Sequence, residues 1–311
     1  MANKEHKTSI GGSAVMEGVM MRGPEAVAVA VRKPDGEIVM DYKKTKAVKK
    51  RNFILKLPII RGCIGFFESM VLSTKALMFS AEFIDVEEEE PSKFDKWLEE
   101  KLGDKMKDVV IYFSVFLSLV MSVGLFILFP TWLISFVKMF ITDNQIVLTA
   151  TEGVLRIAIF LGYLALVAMI PDIKRVFQYH GAEHKTIACY EAGEELTVEN
   201  ARTKCRLHPR CGTSFLLITV VVSIIVFSFL KWDNILIRTL TRLALLPVVA
   251  GVSYEIIKFA GRYDNIFTKI ISYPGLLLQK ITTNEPDDKQ LEVAIASMKA
   301  VVPEDEEDDR W

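Results

Sequence analysis

Residues 109–137 read VVIYFSVFLSLVMSVGLFILFPTWLISFV. These 29 residues carry no charge. About 20 apolar residues suffice for a helix to cross a hydrocarbon core of about 30 Å, so the stretch predicts a membrane span. Pro130 is expected to kink or end it. A second charge-free run covers residues 211–230. Two weaker candidates follow the same logic. Residues 153–171 carry only Arg156, and residues 235–257 carry Arg238 and Arg242 at one end and Glu255 at the other. Long basic side chains near a span's end can snorkel to the interface.

Composition agrees with a chain divided between lipid and water. Hydrophobic residues make up 51% and mean hydropathy is +0.29, yet 25% of residues are charged. Apolar and charged residues must therefore be segregated. The net charge of −1 provides no basic field and argues against nucleic acid as a partner. Met1 to Ser9 is polar, so no cleavable signal peptide is expected, and Ala2 excludes the myristoylation signature.

Lys and Arg in the short loops set the orientation. Residues 142–153 contain none, whereas residues 172–210 contain seven: Lys174, Arg175, Lys185, Arg202, Lys204, Arg206 and Arg210. Lys231, Arg238 and Arg242 cut against this bias but are outnumbered. The expected protein is an α-helical integral membrane protein with about four transmembrane helices and a small cytoplasmic α+β domain. Both termini would lie in the cytoplasm, the bilayer would be an obligatory partner, and a homo-oligomer is compatible with four spans.

The rest of the chain divides around this core. Residues 1–50 form a glycine-rich region with a β-hairpin, in which Val27–Val31 and Glu37–Tyr42 flank the turn Lys33-Pro34-Asp35-Gly36. Residues 51–108 hold an amphipathic helix and an acidic linker. In 57–84, Arg61, Glu68, Lys75 and Glu82 recur every seven residues on an otherwise apolar surface, which predicts a packed or interfacial helix. Glu87 to Pro91 reads as a solvated linker. The membrane domain occupies 109–260 with a long loop at 172–210. Residues 261–311 hold an apolar segment broken by Pro274-Gly275, a helix opened by Pro286-Asp287-Asp288, and the acidic tail Glu304–Asp309.

Ligand-type residues are concentrated in the loop 172–210 and its border. Three of the four His and three of the four Cys fall within residues 180–211. His180-Gly181-Ala182-Glu183-His184 spells H-x-x-E-H, and two His at i and i+4 on a helix can share one zinc or other divalent ion. Glu183 would then be the general base, as in an inverted zincin. Glu255 and Glu191 are candidate third ligands. Cys205-x-x-His208-x-x-Cys211 is a second set, which with Cys189 or His184 would instead make a structural Cys/His zinc site. At a cytoplasmic face these thiols would be reduced or metal-bound. The start of the chain is also unusual: Gly11, Gly12, Gly18 and Gly23 suggest tight turns or close backbone approach, and Glu17 and Arg22 would pair or bind a ligand.

These same stretches resemble the YqhQ family of bacterial membrane proteins. The resemblance rests on Gly11 to Pro24, on Tyr179 to Lys185, on His208-Pro209-Arg210-Cys211-Gly212-Thr213, and on Glu285 to Asp288 with Glu292 to Ile295. It covers about Ser9 to Val302. Ser13 stands where the resemblance leads one to expect Gln. It implies a polytopic protein of the bacterial cytoplasmic (inner) membrane. The metal-dependent activity commonly attached to the family rests on the same His and Glu residues and adds nothing independent. Two functions follow as expectations: metal-assisted hydrolysis at the membrane, or a non-enzymatic scaffold docking on another membrane complex, such as a protein translocation or insertion machine or a transporter.

Overall fold

The structure, a computed structural model, describes residues 6–45, 57–84, 106–230, 235–263, 265–304 and 309. The chain forms two compact units. One is built from Met1–Ile84, Tyr163–Val226 and Ala244–Trp311, and the other from Asp85–Gly162 and Phe227–Leu243.

The first unit opens with a four-stranded antiparallel meander: β1 (Gly11–Val15), β2 (Gly18–Arg22), β3 (Ala26–Arg32) and β4 (Ile38–Lys44). The glycine-rich start, expected to hold tight turns or close backbone approach, is a hairpin of β1 and β2, with Glu17 at φ 51° in its turn. The 2-residue period of a strand sorts β3 into two faces. Ala26, Ala28 and Ala30 join one core with Val19, Met21, Tyr179, Leu291, Ala294 and Met298. Val27, Val29 and Val31 join another with Val15, Met20 and Ala76. Helix α1 (Ile60–Ala81) covers the valine face through Ala76, Leu72 and Phe79. Helices α5 (Pro171–Glu191) and α10 (Asp288–Lys299) cover the alanine face, where the small side chains let a helix come close enough for Ser297 Oγ to donate to the Ala28 carbonyl at 3.0 Å. Asp287 and Gln290 form the capping box that starts α10.

The apolar helices are α2 (Met106–Val123), a π-helical turn at Gly124–Leu128, α3 (Phe129–Phe140), α4 (Gln145–Val167), α7 (Gly212–Ser228) and α8 (Ile235–Arg262). The short α6 (Val198–Arg202) precedes α7, and α9 (Ile266–Thr282) follows α8. Among the described residues, four helical stretches are long and apolar enough to cross a membrane: Ile60–Ala81, Phe113–Phe140, Val147–Val167 and Leu236–Arg262.

Several expected boundaries move. The span expected at 153–171 is the helix Gln145–Val167. Glu152 can lie inside it because Arg156, one turn on, pairs with it at 2.8 Å, and Pro171 forces Ile170 into an extended conformation that ends it. The segment 57–84, expected to be a packed or interfacial helix, packs on the sheet and also has the length and composition of a span, whereas α7 is shorter. Two of the three charges of α1 are paired, Arg61 with Glu255 and Glu68 with Arg22, which leaves Lys75 on an otherwise largely apolar helix. Pro274 does not break the apolar segment after α8. Helix α9 runs through it, with Gly275 packed on Ser214. The linker at 87–91 and residues 305–308 of the tail lie outside the described residues.

A candidate metal centre

Helix α5 carries the site. Pro171 at its first turn is preset for a helix, and Asp172 complements the positive end of the dipole. Its sequence is polar, yet Tyr179, Ala182, Glu183, His184, Lys185, Thr186 and Ile187 are all buried. Burying this many polar groups is costly unless they are paired or functional.

His180 and His184 lie one turn apart with ring centroids 4.4 Å from each other. Both rings are held by their Nδ1 atoms: His180 Nδ1 donates to the Thr282 carbonyl at 2.8 Å, and His184 Nδ1 to the Arg206 carbonyl at 2.6 Å. A ring that donates from Nδ1 presents a lone pair at Nε2 when neutral, which is the arrangement that orients metal-ligating imidazoles. Cys211, just before α7, completes a triangle. Ligand atoms of His180, His184 and Cys211 all lie within 4.8 Å of one another, and His180 Nε2 is 3.2 Å from Cys211 Sγ.

Two neighbouring atoms have nothing to bind. His184 Nε2 and Glu183 Oε2 are buried without a hydrogen-bond partner among the described residues. Native proteins rarely leave such atoms orphaned, and the exceptions mark functional sites or ions. An imidazole pair with a thiolate is a borderline-soft donor set that suits zinc. The residues present therefore fit a divalent ion.

The electrostatics are consistent with this. Burial alone would push the Cys211 thiol up, but the His184 and His180 imidazoles outweigh it and hold the thiol well below its ordinary value. Burial disfavours charge on His180, yet the Cys211 and Glu183 charges raise it to about 9. Glu183 is raised, chiefly by burial, against the opposing pull of His180 and His184. A backbone hydrogen bond from Gly12 also reaches Glu183. Gly12 has to be glycine for space: a Cβ there would sit 2.7 Å from the Met20 carbonyl and 2.8 Å from Glu183 Cδ. Gly181 meets the same demand against the Asn284 carbonyl.

A cavity of about 80 Å³ adjoins the cluster, lined by Gly11, Gly12, Glu183, His184, His208 and Cys211 among others. His208 does not join the triangle. Its Nε2 contacts Glu191 at 3.2 Å, Arg210 also pairs with Glu191, and Thr8 N donates to the same carboxylate at 2.9 Å. Its backbone is clamped by Gln279, which accepts from His208 N and donates to His208 O, each at 2.8 Å. Gln279 is fully buried, and this clamp sets the position of the adjacent Cys211.

The other candidates go elsewhere. Cys205 is exposed, and Cys189 Sγ is directed to the Glu195 carbonyl at 3.5 Å. Glu255 pairs with Arg61, and Glu191 with His208 and Arg210, so neither supplies a third ligand. Glu17 does not pair with Arg22. It binds Arg175 and accepts from Tyr179 Oη at 3.1 Å, while Arg22 reaches Glu68 at 3.3 Å. Gly18 and Gly23 pack closely on the Ala30 and Val301 carbonyls, and Gly11 faces open space. Sequence reading missed Gln279 and the carbonyls of Thr282 and Arg206. Gln279, a polar residue within an apolar stretch, was the one available signal.

A family profile described as "Protein of unknown function (DUF1385)" matches residues 57–304. The chain is 38% identical over 305 residues to the uncharacterized protein YqhQ of Bacillus subtilis (strain 168), which covers 96% of this chain and 94% of that protein. No solved structure matches the chain. The profile includes His180, His184, Cys211 and Glu183, and β1 to β4 precede it. With the profile spanning more than half the chain and this relative aligned over nearly all of it, the chain belongs to the DUF1385 family, alongside YqhQ.

Proposed function

We propose that the protein is anchored in the bacterial inner membrane and holds one divalent ion, zinc by its donor set, on His180, His184 and Cys211 at the cytoplasmic face. The observation that carries this is the convergence of three ligand atoms, among them the otherwise unpartnered His184 Nε2, beside the buried and unpartnered Glu183 Oε2. Three protein ligands with a cavity alongside is the pattern of a catalytic rather than a closed structural site. When bound, such an ion supplies Lewis-acid polarisation of a water and of a carbonyl or phosphoryl oxygen. Glu183 is placed to take a proton in the cavity it lines, held in position by the Gly12 amide. The Thr282 and Arg206 carbonyls keep both imidazoles in the ligating tautomer. The reaction class is metal-assisted hydrolysis of a group presented at the membrane.

Glu183→Gln tests the catalytic part. It should leave metal content and melting temperature near those of the wild type while abolishing complementation of a deletion strain. Full complementation by Glu183→Gln would remove Glu183 from any chemistry.

One observation favours a second reading. The cavity of about 80 Å³ is well below the roughly 300–1,000 Å³ of small-molecule sites. On that reading the ion is a structural staple joining α5 to the start of α7, and the protein is a scaffold docked on another membrane complex. Glu183→Gln would then be mild, and loss of metal would lower the melting temperature.

A further inference from the structure

In the second unit, helices α3, α4 and α8 enclose arginines in excess of acids. Arg242 is 3% exposed and Arg156 is 8% exposed. Arg238 lies one turn before Arg242 on α8. Glu152 is the one carboxylate paired with this group among the described residues, at 2.8 Å from Arg156 and 2.7 Å from Arg242. Among the described residues, three guanidinium charges therefore gather at a single carboxylate. An apolar helix bundle does not hold uncompensated charge cheaply, and ionisable groups inside membrane helices mark ligand or transport sites by default.

The local construction is unlike a simple buried ion pair. Both guanidiniums lie over the Phe227 ring, Arg156 at 5.4 Å and Arg242 at 5.5 Å from its centroid. Thr131 donates to the Ile127 carbonyl at 2.7 Å and so offers its oxygen to Arg242 Nη1 at 2.6 Å. That geometry follows the π-helical turn Gly124–Leu128, and such turns recur at functional sites. Among the described residues, Arg242 Nε and Arg238 Nε remain buried with no hydrogen-bond partner, as does Thr239 Oγ1. Unused donors thus border a site of excess positive charge.

We propose that Arg156, Arg238 and Arg242 bind a phosphate group, that of an anionic lipid headgroup. Planar guanidinium forks match phosphate oxygens, and basic pockets between membrane helices take lipid headgroups. Depth favours a lipid source. At 1.5 Å per residue, Arg238 and Arg242 lie roughly 5 and 10 Å from the start of α8, and Arg156 roughly 16 Å from the start of α4. On α8 that is nearer one end of the helix than its middle, within reach of a headgroup, while Arg156 stands at the middle of α4 and joins the group through Glu152, which it shares with Arg242. The inference rests on reading these helices as spans and is independent of the metal centre.

Native mass spectrometry of the full chain in detergent tests it, with phosphatidylglycerol, diacylglycerol of the same chains, and inorganic phosphate as probes. The wild type should bind one phosphatidylglycerol and discriminate against diacylglycerol. Arg238→Gln, at a half-buried position without an acidic partner among the described residues, should weaken binding about tenfold at unchanged melting temperature. Arg242→Lys keeps the charge but loses the fork and should weaken it as well. Competition by millimolar phosphate would assign the site to a soluble phosphate, and its absence to the lipid. Equal binding of diacylglycerol, or unchanged binding by both variants, would overturn the proposal. Alkaline extraction of membranes, read separately, shows whether the span reading itself has failed.

Discussion

Gly11 and Gly12 are neighbours in β1 and should respond oppositely to alanine. At Gly11 an added Cβ meets nothing within 4 Å. At Gly12 it would lie 2.7 Å from the Met20 carbonyl, 2.8 Å from Glu183 Cδ and 2.9 Å from Glu183 Cγ. The Met20 carbonyl belongs to β2, paired along its length with β1, so Glu183 is the group that gives way. Overpacking of this kind costs about 1–3 kcal/mol, and the gain from restricting the unfolded chain offsets about 0.4–1 kcal/mol. The net loss is about 1–2 kcal/mol, or a few degrees of melting temperature for a unit of this size. Gly11→Ala keeps only the gain and should match or exceed the wild type. Because the ligands are untouched, Gly12→Ala should retain metal while losing complementation. Thermal melts of the detergent-purified variants, with metal content beside them, make the comparison. If Gly12→Ala melts with Gly11→Ala and complements, Glu183 is not positioned by that strand.

Three further outcomes follow from the geometry. Glu191 feels burial pushing its pKa up, but His208 and Arg210 more than reverse this and hold it below its ordinary 4.5. Its contribution is therefore present above pH 4.5 and lost as pH falls through the lower folded value, so Glu191→Gln should melt below the wild type at pH 7 and converge with it in acid. In metal-free protein, Cys211→Ala removes the charge that raises His180, and NMR titration should find that imidazole well below about 9, because burial then dominates. Ile59 sits at φ 68° with Ile60 N bonded back to the Pro58 carbonyl at 2.8 Å, a turn that strains a β-branched residue by about 1–3 kcal/mol. Ile59→Gly should raise the melting temperature, and a fall would show that the packing of Ile59 on Gly251 outweighs the strain.

Much of this architecture can be read from local pattern. A charge-free run of 29 residues has few alternatives to a long apolar helix, and the i, i+4 spacing of His180 and His184 already places two ligands on one helix face. What pattern could not decide was which distant residue joins them. Cys205 and Cys211 have equal claims in sequence, and only the buried clamp of Gln279 on His208 brings Cys211 to the imidazoles. Boundaries failed where charges were paired out of sight. Glu152 reads as a loop residue until Arg156 and Arg242 neutralise it. The β1–β2 hairpin is hard to see in sequence because its glycines obscure the alternation that Val15, Val19, Met20 and Met21 carry. Glu17 and Arg22 looked like partners because they are close in sequence, yet a hairpin turn and two helices send them to Arg175 and Glu68.

Elemental analysis by mass spectrometry of protein purified without chelators decides whether His180, His184 and Cys211 hold a metal. The wild type should carry about one zinc per chain. The His180→Ala/His184→Ala double variant and Cys211→Ala should lose it, and Cys205→Ala should keep it, because only Cys211 lies within 4.8 Å of both imidazole ligand atoms. A wild type without metal, or a Cys205→Ala protein that loses it while Cys211→Ala does not, would contradict the account.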